Sequence, residues 1–116
     1  MLLVEGNDER RSRLSRALRA AGMPVLAVRG IAEVERWPAG DVVVTESRRF
    51  TPLWKDTGAV HVIVLADTTD DGTDACRRGA CAWVPRHAPP HALIDTLQDL
   101  GILGLMQDRR DERARR

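Results

Sequence analysis

The stretch Val60-His61-Val62-Ile63-Val64-Leu65 decides the fold. It is a short, continuous apolar run rich in β-branched residues, which predicts a strand buried on both faces of a parallel sheet. The polar segment after it has a capping residue, Thr68 or Thr69, and a stop at Gly79, so a helix is predicted over residues 68–78. A buried strand that leads into a helix is the repeating unit of α/β proteins.

The same alternation extends toward the N-terminus. Apolar residues at i, i+3, i+4 and i+7 predict an amphipathic helix over residues 8–21, between apolar runs at 2–4 and 24–28. A shorter helical pattern over residues 31–37 precedes a run of three valines at 42–44. Residues 47–59 are less regular and leave room for at most a short third helix.

Toward the C-terminus, a brief strand at 82–84 precedes a helix that begins at Pro89-Pro90. Its predicted buried stripe is Ile94, Leu97 and Leu100, with Leu93 beside them. The order of elements predicts an α/β fold: a doubly wound, five-stranded parallel sheet in three layers, with a shortened third helix. Ligands of such folds bind beyond the carboxyl ends of the strands.

Composition limits the domain count and the function classes. The 116 residues predict one domain over residues 1–106 and a charged tail or linker over residues 107–116. The net charge of +1 predicts no direct nucleic-acid or membrane binding, so the arginine-rich first helix is interpreted as a solvated face. No leader or membrane span is predicted, and two cysteines outside a CxxC spacing favour a reducing cytoplasm. Cys76 and Cys81 are predicted to be buried, inert thiols.

Polar residues follow the predicted strands at the edge where their carboxyl ends meet. They are Glu5-Gly6-Asn7-Asp8, Thr45-Glu46-Ser47, Ala66-Asp67-Thr68 and Pro85-Arg86-His87. Because parallel strands end at the same edge, these residues are predicted to form one site.

With these segments in register, the chain resembles a response-regulator receiver domain. The matching stretches are Leu2-Leu3-Val4-Glu5-Gly6-Asn7-Asp8, Asp41-Val42-Val43-Val44-Thr45-Glu46, Val62-Ile63-Val64-Leu65-Ala66 and Gly79-Ala80-Cys81-Ala82-Trp83-Val84-Pro85-Arg86. The resemblance covers roughly residues 2–100 by the order of elements and implies the receiver, or flavodoxin-like, fold.

The resemblance also implies a pocket with a phosphate-accepting aspartate, an acidic pair for Mg²⁺, a hydroxyl and a lysine. At these places the chain has Glu46, then Glu5 with Gly6, then Ala66, then Arg86, with Asp8 in the loop as a further acid. Each substitution removes a chemical requirement of phosphotransfer. The chain is therefore interpreted as a degenerate, phosphorylation-independent receiver that acts as a protein-interaction module, not an enzyme, and needs no cofactor.

Two other functions remain open at this level. One is a receiver that still switches with Mg²⁺ bound through Glu5, Asp8 and Glu46. The other is a small ligand-binding α/β module that uses the same strand-end pocket, although no glycine-rich phosphate loop is present. His61, His87 and His91 share no metal-ligand spacing, so no metal site is predicted.

Glu46 has two interpretations. The favoured one is a solvated strand-end acid in an ordinary ion pair, which contributes roughly 0–1 kcal/mol. The alternative is a glutamate that pairs with Arg86 and mimics the phosphorylated state. If the alternative holds, Glu46 locks the domain in its active form.

Apolar residues are too dense over residues 100–106 to lie on a single stripe of a helix, which predicts a surface for a partner. Its residues, with an aromatic of the fifth strand, are Trp83, Leu100, Ile102, Leu103, Leu105 and Met106. The resemblance implies that this is the face of the fourth helix, fifth strand and fifth helix, where a homodimer, a protein partner or an effector domain binds. Trp83 falls where receivers carry a rotating aromatic and is interpreted as packed at the edge of the sheet.

Overall fold

Strands and helices alternate along the chain in the computed structural model, which describes residues 1–30, 42–47 and 61–102. The elements are β1 (Leu2–Val4), α1 (Asp8–Ala20), β2 (Leu26–Val28), β3 (Val42–Glu46), β4 (His61–Ala66), α2 (Thr69–Arg77), β5 (Ala82–Pro85) and α3 (Pro90–Asp99). The helix predicted over residues 31–37, the shortened third helix and the tail over residues 107–116 lie outside the described residues.

The strands form one parallel sheet in the order β2-β1-β3-β4-β5 across the described ranges. β1 therefore lies between β2 and β3, and β5 forms the edge opposite β2. Val4 lies opposite Thr45, and Glu46 lies opposite Leu65. The predicted doubly wound α/β sheet is confirmed.

The two faces of the sheet are covered by different helices, which gives three layers. On one face, α1 and α3 pack through Leu18 and Leu97 onto Val44 and Ile63. On the other face, Ala75 of α2 packs on the alternate residues of the same strands. Strands covered on both faces explain the near-continuous apolar runs in the sequence.

Side-chain caps fix where the helices begin. The Asn7 side chain accepts a hydrogen bond from the N–H of Arg10 at 2.9 Å, so α1 begins directly after the loop that carries Glu5. Thr68 accepts from the N–H of Asp71 at 3.1 Å, which confirms the predicted cap of α2. No helix in the described ranges combines the length and apolar character that crossing a bilayer requires.

The buried stripe of α3 differs from its prediction. Leu93 and Leu97 are buried, whereas Leu100 is 37% exposed. The helix ends at Asp99, and Gly101, at φ 77°, reverses the chain so that Ile102 returns to the core at 4% exposure. Ile102, predicted for the interaction surface, is therefore a core residue.

The cysteines also differ from their prediction. Cys76 is half-buried and Cys81 is exposed. Cys81 directly precedes β5, the strand at one edge of the sheet. Its Sγ lies 3.7 Å from Nδ1 of His61.

Candidate functional site

The guanidinium of Arg86 joins two acids at the carboxyl edge of the sheet. Arg86 follows β5, and its Nη2 donates to Oε1 of Glu5 at 2.8 Å and to Oε1 of Glu46 at 3.0 Å. The two acids are neighbours because they directly follow Val4 and Thr45, which are paired in the register of β1 and β3. The parallel topology thus brings together three residues that are far apart in sequence.

All three groups are buried. Glu5 is 0% and Glu46 is 2% exposed, and the Arg86 side chain is 11% exposed. The favoured interpretation of Glu46 as a solvated acid is therefore wrong. β3 lies between β1 and β4 in the sheet. The N–H of Gly6, in the loop after β1, donates to the side chain of Glu46 at the end of β3.

Backbone groups hold the cluster in place. The N–H of Gly6 donates to Oε1 of Glu46 at 2.6 Å, and the N–H of Asn7 donates to Oε1 of Glu5 at 3.0 Å. The N–H of Arg86 donates to the carbonyl of Ala66 at 2.9 Å, so the turn after β5 is tied to the end of β4. Each acid therefore accepts charge-assisted hydrogen bonds from the backbone and from the same guanidinium.

The environment keeps Glu5 ionised. Burial acts to raise its pKa, but the hydrogen bonds with Arg86, Glu46 and the N–H of Asn7 together hold the pKa below its ordinary value of 4.5. The hydrogen bond to Glu5 in turn raises the pKa of Arg86, against the effect of burial. Glu5 and Arg86 thus form a buried ion pair whose charged form is favoured by its own contacts.

Asp8 lies away from this cluster. Its side chain is 68% exposed and pairs on the surface with Arg11 at 2.6 Å and Arg29 at 3.3 Å. These arginines hold the pKa of Asp8 below its ordinary value, with the Arg11 hydrogen bond as the main cause. The alternative in which Asp8 joins Glu5 and Glu46 around a metal finds no such arrangement among the described residues.

The remaining strand-end residues complete the rim of the site. Ala66 is fully buried and brings no hydroxyl, and the hydroxyl of Thr45 is buried without a hydrogen-bond partner in the described part of the chain. Asp67 is one of the strand-end residues, and no individual role was predicted for it. Its carboxylate lies 3.8 Å from Nη1 of Arg86 and 3.4 Å from Nε2 of His87, so it adds a more exposed acid to the same cation.

The predicted interaction surface is described in part. Trp83 is half-buried in β5, the edge strand between α2 and α3, and a Cβ at Gly72 of α2 would overlap its indole ring. Leu100 is exposed at the end of α3. Leu103, Leu105 and Met106 lie outside the described residues.

Sequence comparisons identify no relative. No protein-family model matches the chain, and no curated protein matches it either. Solved structures do match, at 13–16% identity.

Three of these structures are response regulators. An orphan response regulator of H. pylori is similar at a TM-score of 0.64 and 16% identity, over 84% of this chain and 92% of that chain. A Francisella response regulator receiver domain is similar at a TM-score of 0.65 and 13% identity, over 94% of this chain and 96% of that chain. The third is a Burkholderia pseudomallei response regulator with a phosphorylated aspartic acid, calcium ion and citrate. It is similar at a TM-score of 0.64 and 16% identity, over 97% of this chain and 71% of that chain. The chain has the receiver fold, as its strand order and its likeness to these structures show.

Proposed function

We propose that this chain is a signal-transduction module that works by protein–protein contact, without phosphorylation and without enzymatic activity, in the cytoplasm. The observation that carries the proposal is the position of Arg86. Its guanidinium holds Glu5 and Glu46 together by hydrogen bonds of 2.8 and 3.0 Å. The resemblance to receivers implies a metal and a phosphate-accepting residue at these two acids, and the contacts of Arg86 support the proposal that its side-chain cation takes the role of a bound one.

The donor set does not fit Mg²⁺. Magnesium needs near-octahedral oxygen ligands at about 2.0–2.1 Å. Here one oxygen of each acid already accepts from the same nitrogen of Arg86, and Asp8 is engaged by Arg11 and Arg29. A metal bound to the Oε1 atoms of both acids would have to displace Arg86 and break both charge-assisted hydrogen bonds. This supports the phosphorylation-independent function over a Mg²⁺-dependent switch.

The environment of Glu46 supports the same conclusion. Its carboxylate is 2% exposed beneath the N–H of Gly6 and the guanidinium of Arg86, so it is poorly accessible to a phosphodonor. Ala66 has no hydroxyl to bind a phosphoryl group. The burial of the cluster also leaves little room for the alternative of a ligand at the same acids.

Titration with Mg²⁺ and then with beryllofluoride, a phosphate mimic, tests this proposal. The amide resonance of Gly6, whose N–H donates to Glu46, reports on the cluster in ¹H–¹⁵N spectra. We expect no saturable shift at millimolar Mg²⁺, with or without beryllofluoride, because Arg86 already donates a hydrogen bond to each of the two acids.

A variant that carries Gly6→Asp, Glu46→Asp, Ala66→Ser and Arg86→Lys serves as the positive control, since it restores the groups implied by the receiver resemblance. In this variant the backbone amide of residue 6, or that of Asn7, should shift on titration with Mg²⁺ and beryllofluoride. A saturable response of the natural chain, lost in Glu46→Gln, would show a working metal site and reject the proposal.

The partner surface that we propose is the face of α2, β5 and α3. It combines the edge strand, the half-buried Trp83 and the exposed Leu100. Aromatic and aliphatic side chains at such an edge are typical anchors of protein interfaces. The occupant is a second copy of the chain or an effector domain, and the modest net charge of +1 gives nucleic acid or membranes little to bind.

Sedimentation across a dilution series tests the homodimer. We expect a concentration-dependent dimer that Leu100→Glu weakens, because a charge at a contact that excludes water is costly. Leu26→Glu is the matched control, since Leu26 is 56% exposed on β2 at the opposite edge of the sheet. A monomer at all concentrations would remove the homodimer and leave the effector domain as the partner.

A further inference from the structure

A small cavity lies between the N-terminal half of α1 and the turn from β5 to α3. Its volume is about 110 Å³. The described residues that line it are Arg10, Arg13, Leu14, Arg86, His87, Ala88 and Pro90. Three guanidinium groups and an imidazole thus meet at one cavity, and no acid is found in this described lining.

Two guanidinium nitrogens of this lining have unmet hydrogen-bonding capacity. Nη1 of Arg10 and Nε of Arg86 are both buried and have no acceptor within the described part of the chain. Arg86 donates to Glu5 and Glu46 through Nη2, which leaves Nε unused. Buried polar groups are nearly always hydrogen-bonded, so an orphaned donor beside a cavity indicates a missing acceptor.

A larger cleft on another side of α1 provides the contrast. Its volume is about 360 Å³, and its described lining is Asp8, Arg11, Ser12, Ser15, Arg16, Arg19 and Ala27. There Arg11 pairs with Asp8, and Arg19 donates to the carbonyl of Val25 at 3.1 Å. In the smaller cavity Arg13 pairs with Glu9 at 3.3 Å and His87 with Asp67 at 3.4 Å. The smaller cavity is therefore distinguished by two buried guanidinium nitrogens that have no acceptor in the described part of the chain.

We propose that the smaller cavity binds a phosphate-bearing small molecule through Arg10 and Arg13, with Nε of Arg86 as a further donor. The planar guanidinium presents paired donors that match the oxygens of a phosphate. A volume of about 110 Å³ holds one oxyanion group, roughly three to four times the space of a water molecule. It is smaller than pockets that enclose drug-sized ligands, so an organic part would extend outside it.

Arg86 lines the cavity and also belongs to the buried acid cluster. Binding of a phosphate in the cavity would therefore act on that cluster through Arg86. A bound phosphate gives this guanidinium another anionic partner beside Glu5 and Glu46. The site does not rest on the proposed function, because its main ligands Arg10 and Arg13 make no contact with those acids in the described structure.

Titration of the full chain with inorganic phosphate and with methyl phosphate, at constant ionic strength set by chloride, tests the site. The Ala88 amide and the Nε–H resonances of Arg10 and Arg86 report on the cavity in ¹H–¹⁵N spectra. We expect saturable shifts, and we expect Arg10→Gln to raise the dissociation constant about tenfold or more, because a charge-assisted hydrogen bond is lost. Tighter binding of methyl phosphate would identify an organic phosphate as the ligand, and equal binding would identify free phosphate.

Arg16→Gln is the matched control, since it removes the same charge from the same helix at the larger cleft. We expect it to change the dissociation constant by no more than about twofold, because it alters only the distant field. Arg13→Gln is a second test of the site if Arg10→Gln does not fold. Shifts that do not saturate, or equal weakening by Arg16→Gln, would overturn the proposal and leave non-specific attraction to the arginine-rich helix.

Discussion

Replacing Arg86 with methionine is expected to lower the free energy of unfolding by about 3–5 kcal/mol at neutral pH. The substitution keeps most of the side-chain volume but leaves Glu5 and Glu46, at 0% and 2% exposure, without their shared cation. Removing one member of a buried ion pair is costly because the other charges remain buried without compensation. Urea denaturation of the natural chain and the variant measures the difference.

The loss should shrink as the pH falls. In the natural chain the pKa of Glu5 is lowered, so its stabilising contribution is complete above the ordinary value of 4.5 and is lost as the pH falls through the folded-state pKa. In Arg86→Met the main group that lowers this pKa is gone, and burial then favours the protonated acid. The variant gains relative stability at acidic pH, and the two unfolding curves should converge there.

The triple substitution Arg86→Met, Glu5→Gln and Glu46→Gln separates charge from packing. Neutral amides remove the uncompensated charge, so this variant should recover much of the loss at neutral pH. A cost of Arg86→Met below about 1 kcal/mol, typical of exposed pairs, would show that the cluster is solvated. A cost that does not change with pH would contradict the role of the acids.

Gly72→Ala is expected to destabilise the protein by about 1–3 kcal/mol, although alanine is the better helix former by about 1 kcal/mol. Gly72 is buried in α2, and a Cβ there would overlap the indole ring of Trp83 on β5. Because the ring is rigid and half-buried against the sheet, the helix or the ring must move. Chemical denaturation measures the cost.

The control is the same substitution in a Trp83→Ala background. Without the indole the methyl group meets no ring, so Gly72→Ala should become neutral or stabilising by up to about 1 kcal/mol. This reversal of sign is a coupling between the two positions in a double-mutant cycle. Equal costs in both backgrounds would mean that the glycine is needed for its backbone and not for the tryptophan.

Most of the fold was predictable because its signals are local. The strands at Val42–Glu46 and His61–Ala66, the Thr68 cap and the start of α3 at Pro90 each follow from short-range propensity, and the structure has them. The meeting of Glu5, Glu46 and Arg86 at one edge was predictable as well, since the rule on parallel strand ends needs only the strand assignments. Glu5, Glu46 and Arg86 meet where that rule places them.

The predictions that were wrong concern features set by tertiary contacts, which the local sequence does not encode. The burial of Glu46 arises from the loop after β1, which lies 40 residues away and donates the Gly6 N–H. The exposure of Leu100 and the burial of Ile102 follow from the left-handed turn at Gly101. Arg11 and Arg29 hold Asp8 on the surface, and their alignment depends on how α1 packs beside β2.

The cluster around Arg86 also bears on the order of events during folding. Its two ion pairs join residues that are 81 and 40 positions apart in the chain. Contacts of such separation carry a large loop-closure cost and form after more local structure. Interactions that are absent from the transition state act on the unfolding rate and leave the folding rate nearly unchanged. We therefore expect the ion pairs of Arg86 to form late in folding and to slow unfolding more than they speed folding.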